Sequence, residues 1–235
     1  VLIDAGISLR DLSRRMAGAG LTIDSVDAVI ISHGHSDHVN GVAVLCRRRG
    51  IPVFANKGTA REAQVFGGVP EGLSRRFTTG RAFDVGTLTV APFPVPHDAA
   101  EPVGFVITDG RVKVGYATDL GSVTLDVLSA FNECDAAVIE SNHDEVMLRE
   151  GPYPEVLKKR VRGPRGHLSN DDAAELLRGI THRGLRHVAL AHLSRTNNRP
   201  EIPLETAGRA LMSCDPRPEI CVGWQEKASA LLRVG

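Results

Sequence analysis

The stretch Val26-Asp27-Ala28-Val29-Ile30-Ile31-Ser32-His33-Gly34-His35-Ser36-Asp37-His38 decides how this chain is read. Its first seven residues form an apolar, β-branched run of the length of a buried parallel strand. The last six gather three imidazoles and a carboxylate on one turn, too dense for ordinary surface composition and of no use to a core. Residues 38 to 49 then read as a helix with Val42 and Leu45 on one face. A strand end that turns into a helix is where α/β proteins hold ligands, and neutral imidazole with carboxylate suits zinc, manganese or iron. Alternate residues such as His33 and His35 can converge on one ion, with Asp37 and His38 turned toward a neighbouring one. The bland alternative is a group of solvated histidines in a polar loop.

Working outward, 235 residues are enough to bury a proper core, and a single domain over residues 1–235 is expected. With 28 basic and 28 acidic residues the net charge is zero, so no global field draws the chain to nucleic acid or membrane. Cys46, Cys134, Cys214 and Cys221 form neither a CxxC pair nor a disulfide rhythm, and none lies near the histidine turn. Without a signal peptide or an apolar run of about 18 residues, a reducing, cytoplasmic location and no membrane partner are expected.

Leu2-Ile3-Asp4 reads as a strand, and Ser8 caps a helix carrying Leu9, Leu12 and Met16. After the motif come the strand Ile51 to Ala55, a helical Thr59 to Phe66 and a break at Gly67-Gly68-Val69-Pro70. Strands then dominate, with Thr87 to Val90, Gly104 to Ile107 and Val112 to Tyr116, the last two joined by an Asp109-Gly110 turn. Helix and strand alternate from there: a helix around Leu125, Leu128 and Phe131, the strand Ala136 to Ile139, a helix Tyr153 to Val161 and a Ser169-capped helix with Ala173, Leu176, Leu177 and Ile180 inward. The strand His187 to Ala191, a helix Leu204 to Met212 and a strand Ile220 to Val222 complete the pattern. Helices bracketing two strand-rich blocks predict an α/β four-layer sandwich. The opening Val1-Leu2-Ile3-Asp4-Ala5-Gly6 reads as the middle of a sheet, so strands are expected upstream of it.

Further donors fall just past predicted strand ends: His97, Asp119 and His192. With His33, His35, Asp37 and His38 they make five imidazoles and two carboxylates, the set two adjacent ions need. We assign His33, His35 and His97 to one divalent ion, Asp37, His38 and His192 to the other, and Asp119 as the bridge. Two such ions roughly 3.5–4 Å apart hold a bridging hydroxide at neutral pH and stabilise attacking and leaving oxygens, so hydrolysis follows. Asp37 would orient the nucleophilic water. A histidine near the ions would protonate the leaving group, with His143 and His167 as candidates; His143 otherwise serves to bind substrate or support the site.

In their order these ligands resemble the metallo-β-lactamase fold superfamily, which implies an αββα sandwich with a dinuclear site. More narrowly, Leu2 to Gly6, Pro96 to Gly104, Tyr116 to Asp119, Glu140 to Asp144, Gly151 to Pro154 and Gly166 to Asn170 are similar to its YycJ/WalJ-type branch. That resemblance implies a metal-dependent exonuclease on double-stranded DNA. It also implies that His167 is the counterpart of a proton-donating Gly-His-Ser histidine in related tRNA 3′-processing enzymes. The branch usually opens with a strand pair and a Ser-Gly-Ser-Ser-Gly-Asn segment, absent from this sequence.

The case for a phosphodiester from the residues themselves rests on Lys158, Lys159, Arg160, Arg162 and Arg165, a basic run without an acid that leads into His167. Such a run can neutralise phosphates of nucleic acid, and the resemblance implies DNA in preference to RNA. Arg47 to Arg49 instead suit a helix C-terminus. At 4% aromatics, base stacking is not expected to dominate binding. Two alternatives stay open: a thioesterase or lactonase sharing the ligand set, and a non-catalytic domain, although no ligand is missing.

Overall fold

In a computed structural model that describes residues 1–234, the chain forms two compact units, Val1–Pro94 with Ala99–Phe105, and Val95–Asp98 with the chain from Val106 onward. The first is built on four parallel strands in the order β1 (Leu2–Ile3), β2 (Val29–Ile30), β3 (Val53–Ala55) and β4 (Ser74–Arg76). Its helices are α1 (Leu9–Gly18), α2 (Ser36–Val39), α3 (Val42–Arg49) and α4 (Lys57–Glu62). Burial of Val29, Ile31, Val42, Leu45 and Val53 joins strands to helices, and Leu9, Leu12 and Met16 of α1 pack against that core. Ser8 begins α1 as expected, its side-chain oxygen accepting from the Asp11 amide.

The helix expected over 38–49 is two helices, broken at Asn40-Gly41. The Gly41 amide donates to the Ala5 carbonyl at 2.7 Å, and a Cβ at Gly41 would stand 2.1 Å from the Ile7 oxygen. Gly6 meets the same constraint: a Cβ there would lie 1.4 Å from the Asp37 carbonyl oxygen. The segment after β1 therefore lies directly against the histidine turn, and only glycine permits it. The antiparallel pair β5 (Phe83–Val85) and β6 (Leu88–Pro94) also belongs to this unit. Phe83 stacks on both Phe54 and Phe77, with centroids 5.3 and 5.1 Å apart. The polar Ser-Arg-Arg sequence of β4 gave no strand signal, because its pairing comes from β3 and not from its own side chains.

Along β7 (Val103–Thr108) the chain passes from the first unit to the second. At the turn that follows, Asp109 Oδ1 accepts the Arg111 and Val112 amides and Gly110 takes φ +86°. The second unit carries the parallel strands β8 (Lys113–Ala117), β9 (Ala136–Glu140), β10 (His187–Ala191) and β11 (Glu219–Val222), paired in that order. Its helices are α5 (Leu125–Ala130), α6 (Glu145–Glu150), α7 (Glu155–Val161), α8 (Asn170–Ile180) and α9 (Glu201–Ala210). A capping box of Ser169 and Asp172 starts α8, and Ala173, Leu176, Leu177 and Ile180 are buried, as their spacing predicts. Helix α6, started by Asp144, was not legible as a separate element. Because β8 to β11 run parallel, the residues that follow them emerge at one edge. No helix among the described residues is long and apolar enough to cross a membrane.

Gly6→Ala should lower the unfolding free energy by about 2–3 kcal/mol in urea melts, since a backbone oxygen cannot yield as a side chain would. Gly72→Ala, where an added Cβ meets nothing within 4 Å, serves as the unchanged control.

Candidate metal centre

In the first unit the motif turn is anchored from behind by Asp4. Its carboxylate accepts the Ser32 amide at 2.8 Å, the Ser32 hydroxyl at 2.7 Å and His38 Nδ1 at 2.8 Å. With Nδ1 committed to Asp4, His38 presents the lone pair of Nε2, the arrangement that carboxylates impose on metal-ligating histidines. His33 Nδ1 lies 3.0 Å from the Ser32 hydroxyl, and its Nε2 faces His35 Nδ1 at 3.0 Å. His33 and His38 are buried, whereas the Asp37 side chain is 67% exposed. All four motif residues thus gather on one turn of this unit.

The second unit holds another donor group. Asp119 Oδ1 is 3.7 Å from His97 Nε2, 3.5 Å from His192 Nε2 and 3.9 Å from His167 Nδ1. Behind the histidines sits Glu140, fully buried at the end of β9. Its Oε1 accepts from His192 Nδ1 at 2.6 Å and His167 Nδ1 at 2.9 Å, and its Oε2 accepts the Leu120 and Leu168 amides, each at 3.1 Å. His97 Nδ1 donates to the Gly166 carbonyl at 3.0 Å, leaving Nε2 toward Asp119. Ligand atoms of Asp119, Glu140, His167 and His192 all lie within 4.8 Å of one another. Asp4, Asp119 and His192 each take φ +58° within two residues of a strand end, which turns their side chains out of strand register. This left-handed conformation costs energy that the bonds to each carboxylate or ring must offset.

Donor chemistry fits divalent cations in both units: His38, His97 and His192 have Nδ1 held from behind and Nε2 forward, and the buried Asp119 carboxylate stands among the donors of the second unit. Burial alone would raise the Glu140 pKa, but the hydrogen bonds from His167 and His192 outweigh it and hold the carboxyl below the ordinary range. His167 goes the other way, since burial would lower its pKa while the bond to Glu140 and the Glu140 charge raise it above the usual histidine value. Burial lowers the His97 pKa against the pull of Asp119.

Two carboxylates the sequence analysis passed over, Asp4 and Glu140, are the ones that orient the rings. Both stand at strand ends, the same signal that singled out Asp119. The basic run is largely structural. Lys158 is turned inward, its ammonium donating to the Arg149 carbonyl at 2.7 Å, because α7 places it on a buried face. Arg165 donates twice to the His97 carbonyl, at 3.0 and 2.8 Å, and Arg160 forms a fork on Asp98, with contacts of 2.6 and 3.2 Å. Lys159 and Arg162 are exposed. His143 differs from the expected substrate contact: it is 1% exposed and neither ring nitrogen has a hydrogen-bond partner. The loop it occupies is clamped by its backbone, with the Asn170 amide donating to the His143 carbonyl.

Residues 1–192 match the Beta-lactamase superfamily domain family. The chain is 34% identical over 212 residues to Exodeoxyribonuclease YycJ of Bacillus anthracis, a match covering 90% of this chain and 80% of that one. It is 32% identical over 218 residues to Exodeoxyribonuclease WalJ of Streptococcus pneumoniae, covering 92% and 81%. Among solved structures, the metallo-β-lactamase fold protein YhfI from Bacillus subtilis superposes with a TM-score of 0.72 at 18% identity, over 98% of this chain and 86% of that one. That likeness shows the fold, the metallo-β-lactamase fold that the order of the ligands implied.

Asp4→Asn keeps the size and the tolerance of positive φ but removes the carboxylate behind His38. Metal affinity, measured by chelator competition, should fall about 10–100-fold. His143 supplies a pH test. Burial pushes its pKa from 6.5 down to about 4, so below pH 6.5 the unfolded chain binds the extra proton and stability falls until about pH 4. The loss is of order 3 kcal/mol. Urea melts of His143→Leu should show a shallower decline over that window than the wild type, and equal declines would refute the assignment.

Proposed function

The chain belongs to the metallo-β-lactamase superfamily and to its branch containing the YycJ and WalJ exodeoxyribonucleases, and from that membership we propose that it is a dinuclear metal-dependent phosphodiesterase, an exonuclease on double-stranded DNA. The observation that carries this reading is the sharing of Glu140 Oε1 by His192 and His167, which ties a metal-ligand candidate to a histidine whose pKa the buried carboxylate raises. In this reading the two units act as one hydrolase domain, as the family match running through both supports. His33, His35 and His97 would hold one divalent ion and Asp37, His38 and His192 the other, with Asp119 as the ligand common to both. Zinc and manganese suit these donors equally, and iron is compatible. Such ions supply Lewis-acid activation of water and charge stabilisation at the phosphate.

The protein's own groups do the rest. Asp37, the exposed carboxylate of the turn, accepts a hydrogen bond from the attacking water and orients it. Glu140 favours the protonated form of His167, which delivers a proton from Nε2 to the leaving oxygen. Arg165 and Arg160 position His97 and Asp98, while Lys159 and Arg162 face the solvent and meet backbone phosphates further along the duplex.

End-labelled double-stranded DNA incubated with the manganese- or zinc-loaded protein should release nucleotides stepwise. His33→Ala should abolish that release. His167→Ala should lower kcat by about 10²–10⁴-fold while bound metal, measured in parallel, stays at wild-type stoichiometry. Hydrolysis of a thioester or lactone with no cleavage of DNA would instead assign a small-molecule hydrolase.

A further inference from the structure

Beside His167 and His192 the second unit has two adjoining hollows. One, of about 440 Å³, is walled by both histidines, Tyr153 and Arg195; the next, of about 510 Å³, is walled by Trp224 and Lys227. Leu193, Ser194, Arg195 and Gln225 line both, so the hollows adjoin along these residues, with the candidate catalytic histidine in the wall of the inner one. Strand register explains why. Leu190 of β10 pairs with Val222 of β11, and the Gly223 amide donates to the Leu190 carbonyl at 2.8 Å. Two residues on from this pair, past the strand ends, stand His192 and Trp224. Neighbouring parallel strands thus deliver a metal-ligand candidate and an indole to one edge.

Trp224 is the single tryptophan of a chain with 4% aromatic residues, and it is 47% exposed. A hydrophobic core has not claimed it. Lys227 Nζ lies 4.5 Å from the centre of its ring. Arg195 donates to the Gln225 side chain, whose amide donates in turn to the Leu193 carbonyl, so the guanidinium is held along the groove. Glu226 also lines the outer hollow, but the cations outnumber it there. With Lys227 over one face of the indole and Arg195 lining the same hollow, the other face fits a heterocyclic base carrying a phosphate.

We propose that this groove is a nucleotide subsite, in which one base of the substrate stacks on Trp224 and its phosphate lies between Arg195 and Lys227, next to the phosphate that His167 serves. The proposal rests on the phosphodiesterase reading and adds to it the recognition of a base. It places that recognition past residue 192, beyond the stretch matched by the family.

Because Trp224 is the sole tryptophan, its fluorescence reads the groove directly. Deoxyadenosine monophosphate should quench the wild-type emission saturably, and deoxyribose 5-phosphate, which lacks the base, should need about tenfold higher concentration. Trp224→Ala should raise KM for an oligonucleotide about tenfold, and Trp224→Phe should restore it to within about twofold, since a phenyl ring still stacks. Equal quenching by the two probes, or unchanged KM in Trp224→Ala while DNA is cleaved, overturns the subsite and leaves the nuclease reading intact. Saturable, base-dependent quenching in a wild-type protein that cleaves no DNA upholds the nucleotide site and overturns the phosphodiesterase reading.

Discussion

The carboxylate of Glu140 has no contact with solvent and accepts four hydrogen bonds, two from imidazoles and two from backbone amides. An ionised group taken out of water costs several kcal/mol unless its lone pairs are met, and here all four directions are used. The amides come from Leu120 and Leu168, which follow Asp119 and His167 in the chain. One buried charge therefore sets the positions of three separate loops and the tautomers of two rings. Removing one partner leaves the others facing an unsatisfied charge, which makes the arrangement cooperative.

Asparagines brace the same loops. The Asn198 side chain donates to the Ser141 and Asn142 carbonyls and to Asn170 Oδ1, and Asn142 donates to the His192 carbonyl. Ser141 donates to Asn170 Oδ1 at 2.7 Å. The network is buried and holds the segments after β9, before α8 and after β10 to each other. Its effect is to keep His192 at a positive φ that a looser loop would relax. Asp4 does the corresponding work in the first unit, where it fastens Ser32 and His38 to the end of β1.

Basic side chains near a candidate catalytic histidine invite an electrostatic reading, and geometry divides them. Arg165 and Arg160 spend their planar forks on the His97 carbonyl and the Asp98 carboxylate, a bidentate geometry lysine could not match. Lys158 goes to a buried carbonyl. Charge pattern alone does not distinguish a phosphate contact from a brace, because both require the same residue types at the same spacing.

From the sequence alone, the ligand types, their position at strand ends and the capped, amphipathic α8 were legible, since each depends on local chemistry or short periodicity. The strand-end rule also extends to Asp4 and Glu140, yet a lone acid after a short apolar run carries no sign of the ring it will face. Tertiary structure decided the rest. It broke the helix at Gly41 because the backbone after β1 passes within contact distance, and it sent Lys158 inward by the face of α7 on which it falls. It also buried His143, and the register of β10 and β11 placed His192 and Trp224 past the ends of two neighbouring strands. Each of these depends on which distant backbone comes near, and such encounters have no signature in residue spacing.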